Sequence, residues 1–262
     1  MFNVRCSMFD VHLLIMPQSK TRLDIALLDK KLAPTRQRAQ ALILAGRVLV
    51  NQVPISKPGI RIHDDDIVSI KGTDMPYVSR GGLKLAEALT QFQIDAVGYN
   101  CMDIGASTGG FTDCLLQNGA AHVVAVDVGY GQIAWKLRQD PRVTLLERTN
   151  IRYLTADKVP FPVDLAVIDV SFISLKIVIP AIRIFLEPDA TVIALIKPQF
   201  EVGRNRVGKG GVVKNSALHE EVIQSLSRFF ESGGFRVHGV VPSPITGPKG
   251  NREFLCHLTI KS

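Results

Sequence analysis

Residues 103–112 read Asp103-Ile104-Gly105-Ala106-Ser107-Thr108-Gly109-Gly110-Phe111-Thr112. A short apolar run, residues 100–104, leads into this stretch, and a helical pattern at 110–118 leads out of it. Glycines and small residues between a strand and a helix let backbone come close to a ligand as the helix begins. In a sheet of parallel strands, that turn lies at the carboxyl edge, where nucleotide-type ligands bind. The pattern lacks Gly-x-Gly-x-x-Gly, which weighs against a nicotinamide or flavin cofactor.

Working outward, apolar or β-branched runs recur at 122–128, 143–147, 163–170 and 190–197, with helical segments between several of them, notably 110–118 and 175–185. Such alternation predicts an α/β domain with a mainly parallel sheet. A helix at 217–232 precedes two more strands, 235–241 and 253–260, joined by a Gly/Pro-rich link. That ending predicts an antiparallel hairpin added to the parallel sheet. The second run ends in Asp127 and Val128. A carboxylate there accepts hydrogen bonds from both hydroxyls of a nucleoside ribose. Alone, Asp127 reads equally as a helix cap or turn residue; beside the glycine loop, the ligand reading prevails. Gly203-Arg204-Asn205-Arg206-Val207-Gly208-Lys209-Gly210 is almost a phosphate-binding P-loop. The Ser or Thr required after Lys209 is Gly210, and no helix pattern follows, which excludes an NTPase reading. A basic loop over a substrate is expected instead.

The chain has 262 residues, of which 46% are hydrophobic and 21% charged, as in ordinary globular proteins. Lys and Arg total 31 against 24 Asp and Glu, a net charge of +7 that suggests a polyanionic partner. The four cysteines, Cys6, Cys101, Cys114 and Cys256, are far apart, which excludes a disulfide-dense scaffold and a local zinc knuckle. No metal-ligand spacing is visible. No apolar run approaches the ~20 residues of a membrane span, so a cytoplasmic location is expected. Residues 1–16 have weak patterning and read as a flexible extension, with Met8 or Met16 as a rival start.

Basicity is uneven. Residues 20–72 hold ten Lys/Arg and five Asp/Glu, and residues 73–262 hold twenty and eighteen. The Gly72–Pro76 stretch reads as a linker, giving an expected division into 1–16, 17–75 and 76–262. The small segment opens with an apolar helical stripe at 23–28. Thr35 is an N-cap candidate for a second helix that Gly46 ends. Strands at 47–50 and 53–56 flank an Asn51-Gln52 turn, and a last strand is expected at 67–70. Lys30, Lys31, Arg36, Arg38 and Arg47 are expected on one helical face, and the acids at a loop. The string Arg22-Leu23-Asp24, Thr35-Arg36-x-x-Ala39-x-x-Leu42-Ile43-x-x-Gly46-x-Val48-x-Val50-Asn51, Lys57-Pro58 and Asp66-x-Val68 resembles the small RNA-binding module named after ribosomal protein S4. The resemblance implies an α+β domain that binds RNA by its basic face, Arg22 included, reading phosphates and shape more than base edges.

Four ionisable residues fall where one crevice would gather them. Asp169 ends the fourth strand and Lys197 the fifth. Lys84 lies on the helix entering the domain, and Glu253 begins the last strand. Singly, each reads as an ordinary surface charge. The motifs Ser79-Arg80-Gly81-Gly82-x-Lys84-Leu85, residues 103–112, Asp169-Val170-Ser171-Phe172-Ile173-Ser174, Lys197-Pro198-Gln199-Phe200-Glu201 and Asn251-x-Glu253 together resemble the FtsJ-type 2′-O-ribose methyltransferases. Residues 20–262 as a whole resemble the TlyA family, often labelled hemolysin A. The resemblance implies a Rossmann-like methyltransferase fold: a mostly parallel seven-stranded sheet with helices on both faces, behind the S4-like domain. It implies S-adenosyl-L-methionine as methyl donor, RNA as acceptor, usually ribosomal RNA or ribosomal subunits, and neither DNA nor membrane as partner. It implies Lys84, Asp169, Lys197 and Glu253 as a catalytic tetrad. Donor contacts are expected from Asp103, Gly105–Thr112, Asp127, Val128, Asp169 and, in place of a relative's acidic residue, Asn150. Arg80, Arg204, Arg206 and Lys209 are expected to touch RNA.

A ribose 2′-hydroxyl must lose its proton as it attacks the methyl group. Lys197 is expected to act as base or to orient the hydroxyl, Lys84 to tune it and place the ribose. Asp169 is expected to orient Lys197, and Glu253 to hold Lys84 or the ribose edge. Two rival functions remain: a membrane-lytic protein, which the absence of a span or long cationic amphipathic helix opposes, and a catalytically silent RNA-binding assembly factor, which the intact tetrad opposes.

Overall fold

The computed structural model describes residues 20–71, 75–247 and 249–261. The extension expected over 1–16, the rival starts Met8 and Met16, Cys6 and residues 72–74 of the expected linker lie outside the described residues, as does the side chain of Arg204. The chain forms two compact units, Met1–Asp74 and Met75–Ser262.

In the first unit, β1 (Lys20–Arg22) runs into α1 (Leu23–Asp29), followed by α2 (Arg36–Leu44), β2 (Val48–Val50), β3 (Val53–Ile55), β4 (Arg61–His63) and β5 (Val68–Ile70). Thr35 caps α2, its Oγ1 accepting from Arg38 N at 3.2 Å. Gly46 follows the helix with φ +66°, the left-handed conformation a helix exit favours. Leu23, Leu27, Leu42, Ile43 and Val48 form the core. Strands β3-β2-β5 make one antiparallel sheet, and β1-β4 pair separately. The β1-β4 pair was not legible in the sequence, because three-residue strands carry no period.

The second unit contains α3 (Gly81–Gln91), β6 (Asn100–Ile104), α4 (Gly110–Gln117), β7 (His122–Val126), α5 (Trp135–Arg138), β8 (Val143–Leu146), β9 (Val163–Ile168), α6 (Leu175–Ile182), β10 (Leu186–Ile196), α7 (Pro198–Glu201), α8 (Ser216–Ser232), β11 (Phe235–Pro242) and β12 (Phe254–Ile260). The sheet order is β11-β12-β10-β9-β6-β7-β8. Strands β8, β7, β6, β9 and β10 are parallel, and β12 inserts antiparallel between β10 and β11. The β9 run is apolar almost throughout because both its faces are buried: Ala166 and Ile168 pack on the α6 and α8 side, Leu165 and Val167 on the α3 and α4 side. The chain builds β6, β7 and β8 in one direction, then crosses to lay β9 on the other side of β6. That reversal opens a crevice at the carboxyl ends of β6 and β9.

Candidate active site

The glycine turn forms at that reversal. Gly105 has φ +87°, and a Cβ on it would stand 2.5 Å from the Asp169 carbonyl oxygen. Only glycine lets the ends of β6 and β9 come this close. The edge holds a cavity of about 930 Å³ lined by Gly105, Ser107, Asp127, Val128, Asn150 and Asp169 among others. A smaller cavity of about 290 Å³ shares Gly105, Ser107, Asp169 and Ser171 with it and reaches Arg80, Lys84 and Lys197.

Asp127 stands one residue beyond β7 at the large cavity. Its Oδ2 accepts from Ser107 N at 2.7 Å and its Oδ1 from Gly129 N at 2.6 Å. Each oxygen retains acceptor capacity beyond these bonds and the residue lines the cavity, so the carboxylate shapes the glycine turn as well as presenting an acceptor. Asn150 Oδ1 accepts from Arg152 N at 3.1 Å and caps a short turn. Its amide N–H groups are left to meet a ligand.

Three expected donor contacts turn away from both cavities. Asp103 points into the core, and its Oδ2 accepts from Thr112 N at 2.9 Å and Thr112 Oγ1 at 2.6 Å. This fully buried pair fastens the strand to the first turn of α4; desolvation raises the Asp103 pKa to about 7. Gly109, with φ +92°, backs onto Leu137 and Ile133. Asp103, Gly109 and Thr112 therefore build the turn rather than touch what it holds. Ala106, Thr108, Gly110 and Phe111 line the smaller cavity.

The tetrad residues meet as two ion pairs. Lys84 Nζ donates to Glu253 Oε2 at 2.5 Å, with the residues 7% and 2% exposed. Glu253 sits just before β12 rather than in it. A Cβ on Gly247 would collide with Glu253 Oε1, so this glycine in the Gly/Pro-rich link makes room for the carboxylate. Lys197 Nζ lies 2.6 Å from Asp169 Oδ1 as an ion contact off the hydrogen-bond direction, and donates to Ser171 Oγ at 3.0 Å. Each lysine has its own carboxylate, Asp169 for Lys197 and Glu253 for Lys84, the partners named for them in the sequence reading. Ser171 and Gly247 carried no signal of their own, although Ser171 lies within a quoted motif.

The expected basic face needs two corrections. Asp24 is fully buried on α1, where Arg22 Nε, Arg36 Nε and Gln40 Nε2 donate to its carboxylate at 3.0 Å each. The acids thus do not all sit at a loop, and Arg22 and Arg36 hold this carboxylate, keeping its pKa well below the usual range. Arg206 is tied to Glu221 by two bonds of 2.6 and 2.5 Å, because α8 brings that acid beneath the loop. Its charge is largely compensated. Lys30, Lys31, Arg80 and Lys209 are exposed, and Arg38 and Arg47 half-buried.

The profile of the FtsJ-like methyltransferase family matches residues 77–260. The chain belongs to that family. The S4 domain matches residues 21–68, ahead of the FtsJ-like part. The chain is 46% identical over 240 residues to the 16S/23S rRNA (cytidine-2′-O)-methyltransferase TlyA of Mycobacterium tuberculosis, covering 91% of this chain and 90% of the relative. It is 40% identical over 244 residues to Hemolysin A of Brachyspira hyodysenteriae, covering 91% and 100%. A solved structure from Streptococcus thermophilus, described as a hemolysin, superposes with a TM-score of 0.73 at 45% identity, covering 93% of this chain and 89% of that one. Among the described residues, no helix is long and apolar enough to cross a membrane. The FtsJ-like unit keeps the two ion pairs at one end of its crevice and Asp127 at the other.

Proposed function

We propose that this FtsJ-like methyltransferase transfers a methyl group from S-adenosylmethionine to the ribose 2′-hydroxyl of a cytidine in ribosomal RNA, in the cytoplasm. The supporting observation is the pairing of Lys197 with Asp169 and of Lys84 with Glu253 beside a crevice that suits a nucleoside. The residues fit the donor: Gly105 admits close backbone approach, and Asp127 offers ribose acceptors at the adjoining strand end. When bound, S-adenosylmethionine supplies an electrophilic methyl group on a positively charged sulfur. Asp169 and Ser171 hold Lys197 Nζ at the cavity shared with the acceptor. Nζ acts there as general base or as the group that orients the 2′-hydroxyl, whose proton would leave as the oxygen–carbon bond forms and the carbon–sulfur bond breaks. Lys84, held by Glu253, positions the ribose. Much of the acceleration comes from holding oxygen and methyl carbon in line.

Lys30, Lys31, Arg38 and Arg47 are the S4-domain contacts to RNA in this reading, with Arg80 and Lys209 serving the FtsJ-like unit. Domain limits of 17–75 and 76–262 accompany the proposal. The test maps 2′-O-methyl marks on ribosomal RNA with and without the gene, then restores the gene as wild type or Lys197→Ala. The wild-type gene should restore a mark that Lys197→Ala does not, while calorimetry finds donor affinity intact in the variant. Identical mark maps with and without the gene would overturn the function; full restoration by Lys197→Ala would overturn the residue's role.

A further inference from the structure

Lys197 and its two partners sit on loops that no strand ladder joins. Strands β9 and β10 keep parallel register as far as Ile168 and Ala194. Asp169 and Ser171 lie past the end of β9, and Lys197 past the end of β10. Lys197 leads into α7, a single turn with Pro198 at its first position and Phe200 N donating to the Lys197 carbonyl at 2.9 Å. That turn ends in Glu201. Its Oε2 accepts from Ser174 Oγ at 2.6 Å and its Oε1 from Leu175 N at 2.8 Å. The carboxylate thus joins the segment after β10 to the far end of the loop after β9.

Helix α6 does not need Glu201 as its cap. Ser174 already fills that role, its Oγ accepting from Lys176 N at 3.1 Å. Glu201 is half-buried, and burial raises its pKa. Lys176, the cation whose charge acts on it, is turned to Ser225 Oγ at 3.0 Å. A carboxylate kept from water without an ion-pair partner is costly, and what offsets the cost here is two hydrogen bonds that both reach the other loop. Between the anchors, Phe172 has φ +65°, a left-handed backbone that a bulky residue keeps only where its surroundings fix it. Segment 169–175 is fixed at both ends, by Asp169 and Ser171 on Lys197 and by Ser174 and Leu175 on Glu201. We propose that Glu201 is a positioning residue for methyl transfer: by closing the two loops beyond the last rung of the sheet, it holds Lys197 Nζ against Asp169 and Ser171, where it meets the 2′-hydroxyl. This rests on the function proposed above.

The test measures kcat and KM of the full chain on RNA carrying the mapped target nucleotide, with donor Kd by calorimetry. Glu201→Ala should lower kcat on the order of 10- to 100-fold, the loss that a misplacement of ~1 Å produces. Its KM for RNA and its donor Kd should stay within about threefold of wild type. Glu201→Gln can accept from Leu175 N and donate to Ser174 Oγ, so it should recover kcat to within about threefold of wild type. Glu201→Asp keeps the charge but reaches one carbon less far, and should lose kcat about tenfold even if Glu201→Ala fails to fold. Ser171→Ala should slow the wild type more than it slows Glu201→Asp, because both residues act through the same Nζ. Wild-type kcat in Glu201→Asp, a Glu201→Gln enzyme as slow as Glu201→Asp, a tenfold loss of donor affinity in these variants, or fully multiplicative effects with Ser171→Ala would each overturn the assignment. Absence of methyl transfer to any RNA by wild type would instead overturn the proposed function.

Discussion

Lys84 and Glu253 should behave as a coupled buried pair whose charges serve chemistry rather than stability. Their side chains are 9% and 1% exposed and lie 2.5 Å apart. Removing one partner leaves the other charge buried with nothing opposite, which costs about 3–5 kcal/mol. Glu253→Ala and Lys84→Ala should each lose that much, a large part of the roughly 5–15 kcal/mol that a domain possesses. Replacing both, as Lys84→Met with Glu253→Leu, removes the unpaired charge and fills the space. The double variant should return to within about 1 kcal/mol of wild type. It should still bind the donor and should transfer no methyl group. Hydrogen exchange read on β10 and β12 peptides isolates this unit's opening from that of the S4 domain. Single variants within about 1 kcal/mol of wild type, or a double variant as unstable as the sum of the singles, would refute the buried-pair reasoning.

Asp127→Ala should weaken donor binding at least about tenfold and loosen the turn at Ser107 and Gly129, because the carboxylate holds both amides; Asp127→Asn, which keeps one acceptor, should do less, by calorimetry. Asp103 has a folded pKa raised by burial to about 7, so its contribution to stability is fully present below the unfolded value of about 4 and is lost as pH rises toward 7. Asp103→Asn should flatten that part of the stability–pH curve measured by urea melts. Asp24 has the opposite sign: its folded pKa is depressed by the Arg22 bond, so the stability it confers on the S4 domain is present above about pH 4 and lost on acidification, a loss that Asp24→Asn should abolish. Lys30→Ala with Lys31→Ala should flatten the salt dependence of RNA binding by up to about two phosphate contacts without unfolding the domain, whereas Arg36→Ala should also destabilise it by uncovering Asp24.

Local patterns in the chain were enough for much of this protein. The glycine turn at 105–110, the Thr35 cap, the Asn51-Gln52 hairpin and the apolar runs of the sheet are each written in contiguous residues, because turn chemistry and strand burial act over a few positions. The order of five motifs placed Lys84, Asp169, Lys197 and Glu253 in one family pattern. What only the tertiary structure decided is the geometry of the pairs that the family pattern implied, and the partners of the other charged residues. Lys84 meets Glu253 across 169 positions, and no periodicity reports a contact at that range. The same holds for Gly247 under Glu253, for Arg22 and Arg36 closing over Asp24, and for Glu221 taking Arg206. A motif residue's direction is equally hidden: Asp103 and Gly105 stand two residues apart in one string, yet Asp103, still within β6, turns to Thr112 in the core, while Gly105, just past the strand's end, lies against the Asp169 carbonyl at the crevice. The chemistry of each side chain was legible in order along the chain, but whether it faces a ligand or another side chain is settled by which strands lie beside which.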